Sequence, residues 1–284
     1  MLKVLKAGER YSAPCALLLG GFDGLHAGHA ALYERAKRTG LPVGATLILG
    51  NKAGGNVFTF PERELILERA GFAFAAEFLF TEEFRNTSAE EFVRNLFSRI
   101  DARAAFCGED FRFGKDACGD PALLKELAPC PVTVLPLARS AGRKIAVSEV
   151  KRLLAEGEIA AANELLCGGY FLQGEVEHGR QVGRTYGFPT LNVTVPKEKF
   201  SLKDGVYGGY AETPAGTFPA IVNFGARPTF GVAERKAEAH LKGFSGDLYG
   251  ETVRIYPVKF LRPIVKFSSK EELKEQLKKD LERV

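Results

Sequence analysis

The sequence predicts two domains of different class, an α/β domain over residues 1–168 built on a parallel, doubly wound sheet, and an antiparallel β barrel or sandwich over 169–284 closed by one helix. Three observations carry this division. Between residues 15 and 167 short apolar runs alternate with stretches of helical periodicity, the pattern of strands covered by crossover helices. After Gly169 the apolar runs are short, rich in β-branched and aromatic residues, and cut by glycine or proline turns. The last segment pairs Ser269 with Glu272 as a capping box and repeats Leu273, Leu277 and Leu281 on one helical face.

In chain order, CALLLGGF (15–22) reads as a buried strand ending in glycine, AGHAALYERAKR as a helix and VGATLILG as a second strand. SAEEFVRNLFSRI (88–100) is an amphipathic helix, with Ser88 and Glu91 as its capping box and Phe92, Val93, Leu96, Phe97 and Ile100 on one face. ARAAFCGEDF and PVTVLPL read as further strands, and SEVKRLLAEGEIAAANELLCGG as helix, break, helix, closing the first domain. The β-rich runs of the second domain are GYFLQGEVEHG, GVYGGYAET, GTFPAIVNFG, AEAHLKGF and ETVRIYPVKF.

A chain of 284 residues with 45% hydrophobic and 26% charged residues describes a globular protein with room for two cores. It opens without the apolar stretch of a secretory leader and has no unbroken apolar run of membrane length, so a cytoplasmic protein is expected. Cys15, Cys107, Cys118, Cys130 and Cys167 are odd in number and form no C-x-x-C pair, which argues against a disulfide framework or a zinc site. The net charge of +4 lies wholly in residues 168–284, where 18 Lys+Arg face 14 Asp+Glu. So mild and dispersed an excess excludes a nucleic-acid stripe but suits a domain that handles phosphates.

LLLGGFDGLHAGH (17–29) places Gly21, Phe22, Asp23 and Gly24 directly after a strand, with His26 and His29 where a helix starts. The unpaired N–H groups and partial positive charge of a helix N-terminus favour phosphate. Histidines three apart share one face and can both donate to phosphate oxygens as charge develops during displacement at phosphorus. An ordinary strand-to-helix turn is the alternative, but two of the four histidines fall in this one glycine-rich turn.

The segment G-x-F-D-G-x-H-x-G-H resembles the FMN adenylyltransferase module of the bacterial bifunctional riboflavin kinase/FAD synthetases, members of the wider HxGH nucleotidyltransferase group with a Rossmann-like fold. GEDFRFG (108–114) matches the family's segment near flavin and nucleotide, which implies that Gly108, Asp110 and Phe111 bind there. Two stretches depart from the family pattern. TLILGNKAGGNVFTFPEREL lacks the usual Pro-His-Pro, and AVSEVKR (146–152) puts Ser148 and Lys151 where a threonine and an arginine usually grip the ATP phosphates. Lysine keeps the charge of arginine but loses its bidentate fork.

The second half resembles the riboflavin kinase module of the same proteins in GEVEHGRQVGRTYGFPTLNV, DGVYGGY, VNFGARPTF, AEAHLKGFSGDLYG and LRPIVKFSSKEEL. The fold implied is a six-stranded antiparallel barrel with a terminal helix. Phosphoryl transfer asks for positioning, charge neutralisation and a group that takes a hydroxyl proton. Gly179, Gly183 and Gly187 let the backbone pass close to a phosphate chain, with Arg184 a candidate phosphate contact. Pro189 fixes the backbone before Thr190, and Thr190 and Asn192 alternate with Leu191, so both face one way as oxygen ligands for Mg²⁺. The resemblance implies that Thr190 and Asn192 hold metal and nucleotide and that Glu238 is the base for the riboflavin 5'-hydroxyl; His240 is read as its hydrogen-bonding neighbour, and Arg262 and Phe267 fall in the flavin-side segment.

Three functions fit these residues. The first is a bifunctional enzyme that makes FMN from riboflavin and ATP, then FAD from FMN and ATP. The second is a riboflavin kinase whose first domain binds nucleotide or flavin without transferring AMP. The third is a non-catalytic flavin-binding regulator, against which intact Thr190, Asn192 and Glu238 count. In each the partners are small molecules, with no nucleic acid and no membrane.

Overall fold

The computed structural model describes every residue except 51–53, 141–142, 179–187 and 230–231, together with all side chains outside those segments save 140, 143–144, 226–229, 232–234 and 270. It divides into two compact units, Met1–Val147 and Ser148–Val284.

The first unit runs β1 (Lys3–Leu5), β2 (Tyr11–Leu18), α1 (Ala27–Lys37), β3 (Val43–Leu49), α2 (Phe60–Ala70), β4 (Phe74–Leu79), α3 (Glu82–Asn86), α4 (Ala89–Arg99), β5 (Ile100–Gly108), α5 (Pro121–Leu127) and β6 (Val132–Leu135), then a small hairpin of β7 (Arg139–Ser140) and β8 (Arg143–Lys144). Six strands form one parallel sheet in the order β1-β4-β3-β2-β5-β6. The chain leaves β2 toward β3 and β4 on one side and returns to β5 on the other, so the order reverses at β2. Ligands of open α/β sheets bind at such a switch point, beyond the carboxyl ends of the strands. The phosphate-type turn after β2 and Gly108 at the end of β5 both lie there.

The helix α4 buries Phe92, Val93 and Leu96, and Ser88 Oγ accepts the Glu91 N–H at 3.1 Å, as its sequence predicts. Ile100 differs: the helix stops at Arg99, and Ile100 opens β5, paired with Tyr11 and 1% exposed. A β-branched residue suits the pleated strand, where it reaches the same core that the helical periodicity pointed to. Helix α2 is an element that the apolar alternation misses, although Thr59 and Glu62 form its capping box and Gly71 its left-handed C-cap.

The second unit begins with α6 (Val147–Glu156) and α7 (Ile159–Leu165). The sequence reading places this pair in the first domain, but Asn163 Nδ2 donates to Pro257 O at 3.0 Å and Lys203 N to Leu154 O at 3.0 Å, which ties it to the β structure. Strands β9 (Leu172–Glu175), β10 (Thr190–Thr194), β11 (Gly205–Thr213), β12 (Gly216–Thr229), β13 (Val232–Leu241) and β14 (Thr252–Arg262) pair antiparallel in the order β10-β13-β12-β11-β14-β9. Curling brings the two edges together at one bridge between Glu177 and Asn192, so the sheet is a nearly closed barrel. Gly174 permits that closure: a Cβ there would lie 2.4 Å from Val193 Cγ1.

The terminal helix, α8 (Lys270–Leu281), is capped by Ser269 Oγ, which accepts the Glu272 N–H at 3.2 Å. Its leucines are only half-buried. The anchor is Asp280, fully buried, whose carboxylate takes Arg262 Nη2 at 2.8 Å and Nε at 3.0 Å, with Gln276 Nε2 on the other oxygen at 2.9 Å. Lys242 Nζ donates to the carbonyls of Leu281 and Val284, where a cation meets the negative end of the helix.

Candidate active sites

In the first unit the turn after β2 is built under strain. Thr46 on β3 grips Gly20, taking its N–H at 3.1 Å and donating to its carbonyl at 2.9 Å. Beyond Gly21, Phe22 adopts φ +40° and Gly24 φ +110°. The left-handed region costs an L-residue roughly 1–2 kcal/mol, so the surroundings must hold Phe22 in place. Its ring is buried, stacked on His29 at 4.3 Å and set edge-on to Phe72.

Asp23 supplies the second restraint. Its carboxylate is 1% exposed and turned inward, with Oδ1 receiving the Phe58 N–H at 3.3 Å and facing Arg63 Nη2 at 3.5 Å. Arg63, equally buried, also donates to the carbonyls of Phe58 and Ile48 at 3.0 Å each. Burial pushes its guanidinium below the usual arginine range, while Asp23 acts the other way. The sequence offered Asp23 as a ligand-binding residue; here it ties the turn to the start of α2.

His26 is the N-cap of α1, its Nδ1 accepting the His29 N–H at 3.4 Å, and His29 Nδ1 donates to Gly24 O at 3.0 Å. The neutral rings are therefore opposite tautomers, with the His26 proton on Nε2 and the His29 proton on Nδ1. Their rings stack at 3.7 Å between centroids. At the end of β5, Phe111 N donates to Gly108 O at 3.1 Å, Asp110 stands between them in sequence, and the Phe111 ring stacks on Phe113. Ser148 and Lys151 lie on α6 in the second unit, with Lys151 Nζ 5.4 Å from the centre of the Phe200 ring.

The second site is a matter of register. Thr190 pairs with His240, and Asn192 with Glu238, across β10 and β13; Asn223 on β12 pairs with the same Glu238 from the other side. Directly opposed residues share a face, with Cβ atoms about 4.5–5.5 Å apart. Asn192, Glu238 and Asn223 thus form a row across three strands, with Thr190 and His240 one step along it. The flanking groups on β13 anchor neighbouring chain. His240 Nδ1 donates to Pro189 O at 2.9 Å. Lys236 Nζ donates to Glu177 Oε2 at 2.8 Å, and this hydrogen bond, with another from Thr194, holds the Glu177 carboxyl below the usual carboxylate range. Gly179, Gly183, Arg184 and Gly187 lie outside the described residues.

Among the described residues, four buried side-chain atoms lack a hydrogen-bond partner: Asp23 Oδ2, Asn56 Oδ1, Asn192 Oδ1 and Asn223 Oδ1. Leaving such a group unpaired costs about 1–3 kcal/mol, so each calls for a partner such as an ordered water, an ion or a ligand. Asn192 and Asn223 flank Glu238. Asp23 lies under the turn after β2, and Asn56 donates to Gly50 O just beyond the carboxyl end of β3. Neither Asn56 nor Asn223 stands out in the sequence, because a single asparagine in a turn or strand carries no periodic signal.

Beside Thr190 opens a cleft of about 280 Å³, whose walls include Leu191, Leu241, Phe244, Asp247 and Tyr249. An aromatic pair with apolar walls and one carboxylate is the lining expected for a flat heteroaromatic ring. Its signal in the sequence is KGFSGDLYG, two aromatics set among glycines after a strand. Arg262 is paired with Asp280, with the Phe267 ring 5.6 Å from its guanidinium.

The FAD synthetase family matches residues 9–149 and the riboflavin kinase family residues 166–284. The bifunctional riboflavin kinase/FMN adenylyltransferase of Escherichia coli K12 is 31% identical over a 286-residue alignment that covers 94% of this chain and 90% of that protein. The protein of the same name from Bacillus subtilis is 30% identical, with the same coverage of both chains. A crystal structure described as a macrolide-efflux protein from Streptococcus pneumoniae superposes with a TM-score of 0.89 at 27% identity, over 99% of this chain and 98% of that one. Among the described residues of this chain no helix is long and apolar enough to cross a membrane. With both halves matched in order and relatives of the same two-part architecture along almost the whole length, the chain belongs to the family of bifunctional riboflavin kinase/FMN adenylyltransferases.

Proposed function

We propose that this chain makes flavin cofactors in two steps at two separate sites. In the barrel, riboflavin and ATP give FMN and ADP; in the α/β unit, FMN and ATP give FAD and pyrophosphate. The observation that carries the reading is the row Asn192–Glu238–Asn223, which sets a carboxylate between two unsatisfied buried amide oxygens.

Thr190, at the rim of the cleft, and Asn192, further along the same face of β10, meet the phosphate chain of the nucleotide. A hydroxyl and an amide oxygen are ligands that Mg²⁺ accepts alongside phosphate oxygens and water, and the unpaired Asn192 Oδ1 fits that use. Bound there, Mg²⁺ would supply charge neutralisation on the phosphates. Glu238 accepts the proton of the riboflavin 5'-hydroxyl as its oxygen bonds to the terminal phosphorus and the bridge to ADP breaks. His240 holds Pro189, and so the entry to Thr190, in place.

In the first unit the reaction needs no covalent nucleophile. A phosphate oxygen of FMN attacks the α-phosphorus of ATP, and pyrophosphate leaves. His26 through Nε2–H and the N-terminus of α1 stabilise the charge that develops on the phosphate oxygens. Asp23 and Arg63 keep the turn in its strained shape, and Gly108, Asp110 and Phe111 border the flavin side. Free cysteines and dependence on ATP suit work in the cytoplasm.

Incubation of the pure protein with ATP, Mg²⁺ and either riboflavin or FMN, followed by chromatography of the flavins, tests this. FMN and then FAD should form from riboflavin, and FAD from FMN. FMN alone would leave a kinase with a silent first unit, as the missing Pro-His-Pro and Lys151 would allow. No turnover of either flavin would overturn the reading.

A further inference from the structure

Resting on that kinase reading, the geometry points to Asn223 as a substrate-binding residue: we propose that its side-chain amide takes a secondary hydroxyl of the acceptor's polyol chain, next to the hydroxyl that is phosphorylated. Asn223 Oδ1 is buried and has no partner. Register places it directly across from Glu238, on the side opposite Asn192. In that reading the nucleotide side of Glu238 is the β10 side, where Thr190 and Asn192 stand. An alcohol that gives its proton to Glu238 from the other side meets Asn223 on β12, between Ile221, packed against Leu281 and Val284, and Gly225, over which Ile264 lies.

On the face of β12 that carries Asn223, the neighbouring positions are Ile221, which is buried, and Gly225, which has no side chain. Asn223 is thus the polar group of that stretch. An apolar alternative at this position would avoid a buried unpaired amide, so its presence calls for a ligand that completes it. A hydroxyl both donates and accepts, so it satisfies the amide whichever way the amide is turned. The ligand class that follows is a flavin bearing a polyhydroxylated chain, with discrimination against flavins that lack one.

The test uses the full-length protein with Asn223→Leu, which keeps the branching at Cγ but has no hydrogen-bonding groups, and Asn223→Ser, which keeps a hydroxyl. For Asn223→Leu, kcat/KM for riboflavin should fall about 10- to 100-fold while KM for ATP stays unchanged, and Asn223→Ser should lose less. Binding followed by flavin fluorescence should show wild-type protein preferring riboflavin to lumiflavin, which has no polyol chain, and Asn223→Leu losing that preference. The unchanged KM for ATP shows that the barrel is folded in the variant. A rise in KM for ATP or in the Mg²⁺ requirement, or a preference for riboflavin that survives the substitution, would overturn the assignment and leave the kinase reading standing. Failure of the wild-type protein to phosphorylate riboflavin would overturn both.

Discussion

Asn192 on β10 and Glu238 on β13 are directly opposed in register, so their side chains share one face, and the Asn192 amide oxygen is buried there without a partner. In the proposed kinase reaction these two groups divide the work between adjacent strands, Glu238 for the proton and Asn192 for the cation. The arrangement is rigid because it rests on ladder hydrogen bonds rather than on a loop.

Removing the amide oxygen should act through the metal. Asn192→Leu is expected to raise the Mg²⁺ concentration needed for half-maximal kinase activity by about tenfold or more, the effect of losing one ligand interaction. A Mg²⁺ titration of FMN formation measures this, with FAD formation from added FMN as the control that should not move. An unchanged Mg²⁺ requirement would remove Asn192 from the metal site.

The Asp23–Arg63 pair should matter first for stability. Arg63→Met leaves the Asp23 carboxylate buried without its countercharge, for which about 3–5 kcal/mol of destabilisation is expected. The double variant Asp23→Asn with Arg63→Met should recover part of that loss, since the charges are removed together. Denaturant unfolding of wild type, Asp23→Asn, Arg63→Met and the double variant decides it, and purely additive losses would contradict the coupling.

Lys236 and Glu177 make a pH-dependent contact. The folded-state pKa of Glu177 is depressed, so the contact's stabilisation is present above the ordinary glutamate range and is lost as pH falls through the lowered value. Glu177→Gln should therefore lower the melting temperature slightly at about pH 7, and the gap to wild type should narrow as the pH falls below the ordinary glutamate range. Glu177 is partly exposed, so the effect is small. A gap that does not depend on pH would show that the charge is not its cause.

The fold class was legible because strand and helix periods differ. Alternation before residue 168 and short glycine-punctuated runs after it each admit few architectures. The turn at Gly21 to His29 was legible for a similar reason, since glycines and histidines converge where a strand meets a helix. Ile100 was misplaced because it continues the helical stripe of Phe92, Val93 and Leu96 by one turn, although the chain has already become a strand. Asp280 was invisible as an anchor: a carboxylate beside a leucine stripe reads as solvated, and its burial depends on Arg262 on β14 and Gln276 on its own helix. Asn223 could not be seen because register decides its partner, and a slip of one residue would send it to the opposite face.

The most direct measurement compares Glu238→Gln with wild type in both reactions. FMN formation should fall by about 10²- to 10⁴-fold through loss of the base, while FAD formation from added FMN proceeds at the wild-type rate. Equal loss of both activities, or phosphorylation that survives the substitution, would contradict a barrel site organised around Glu238.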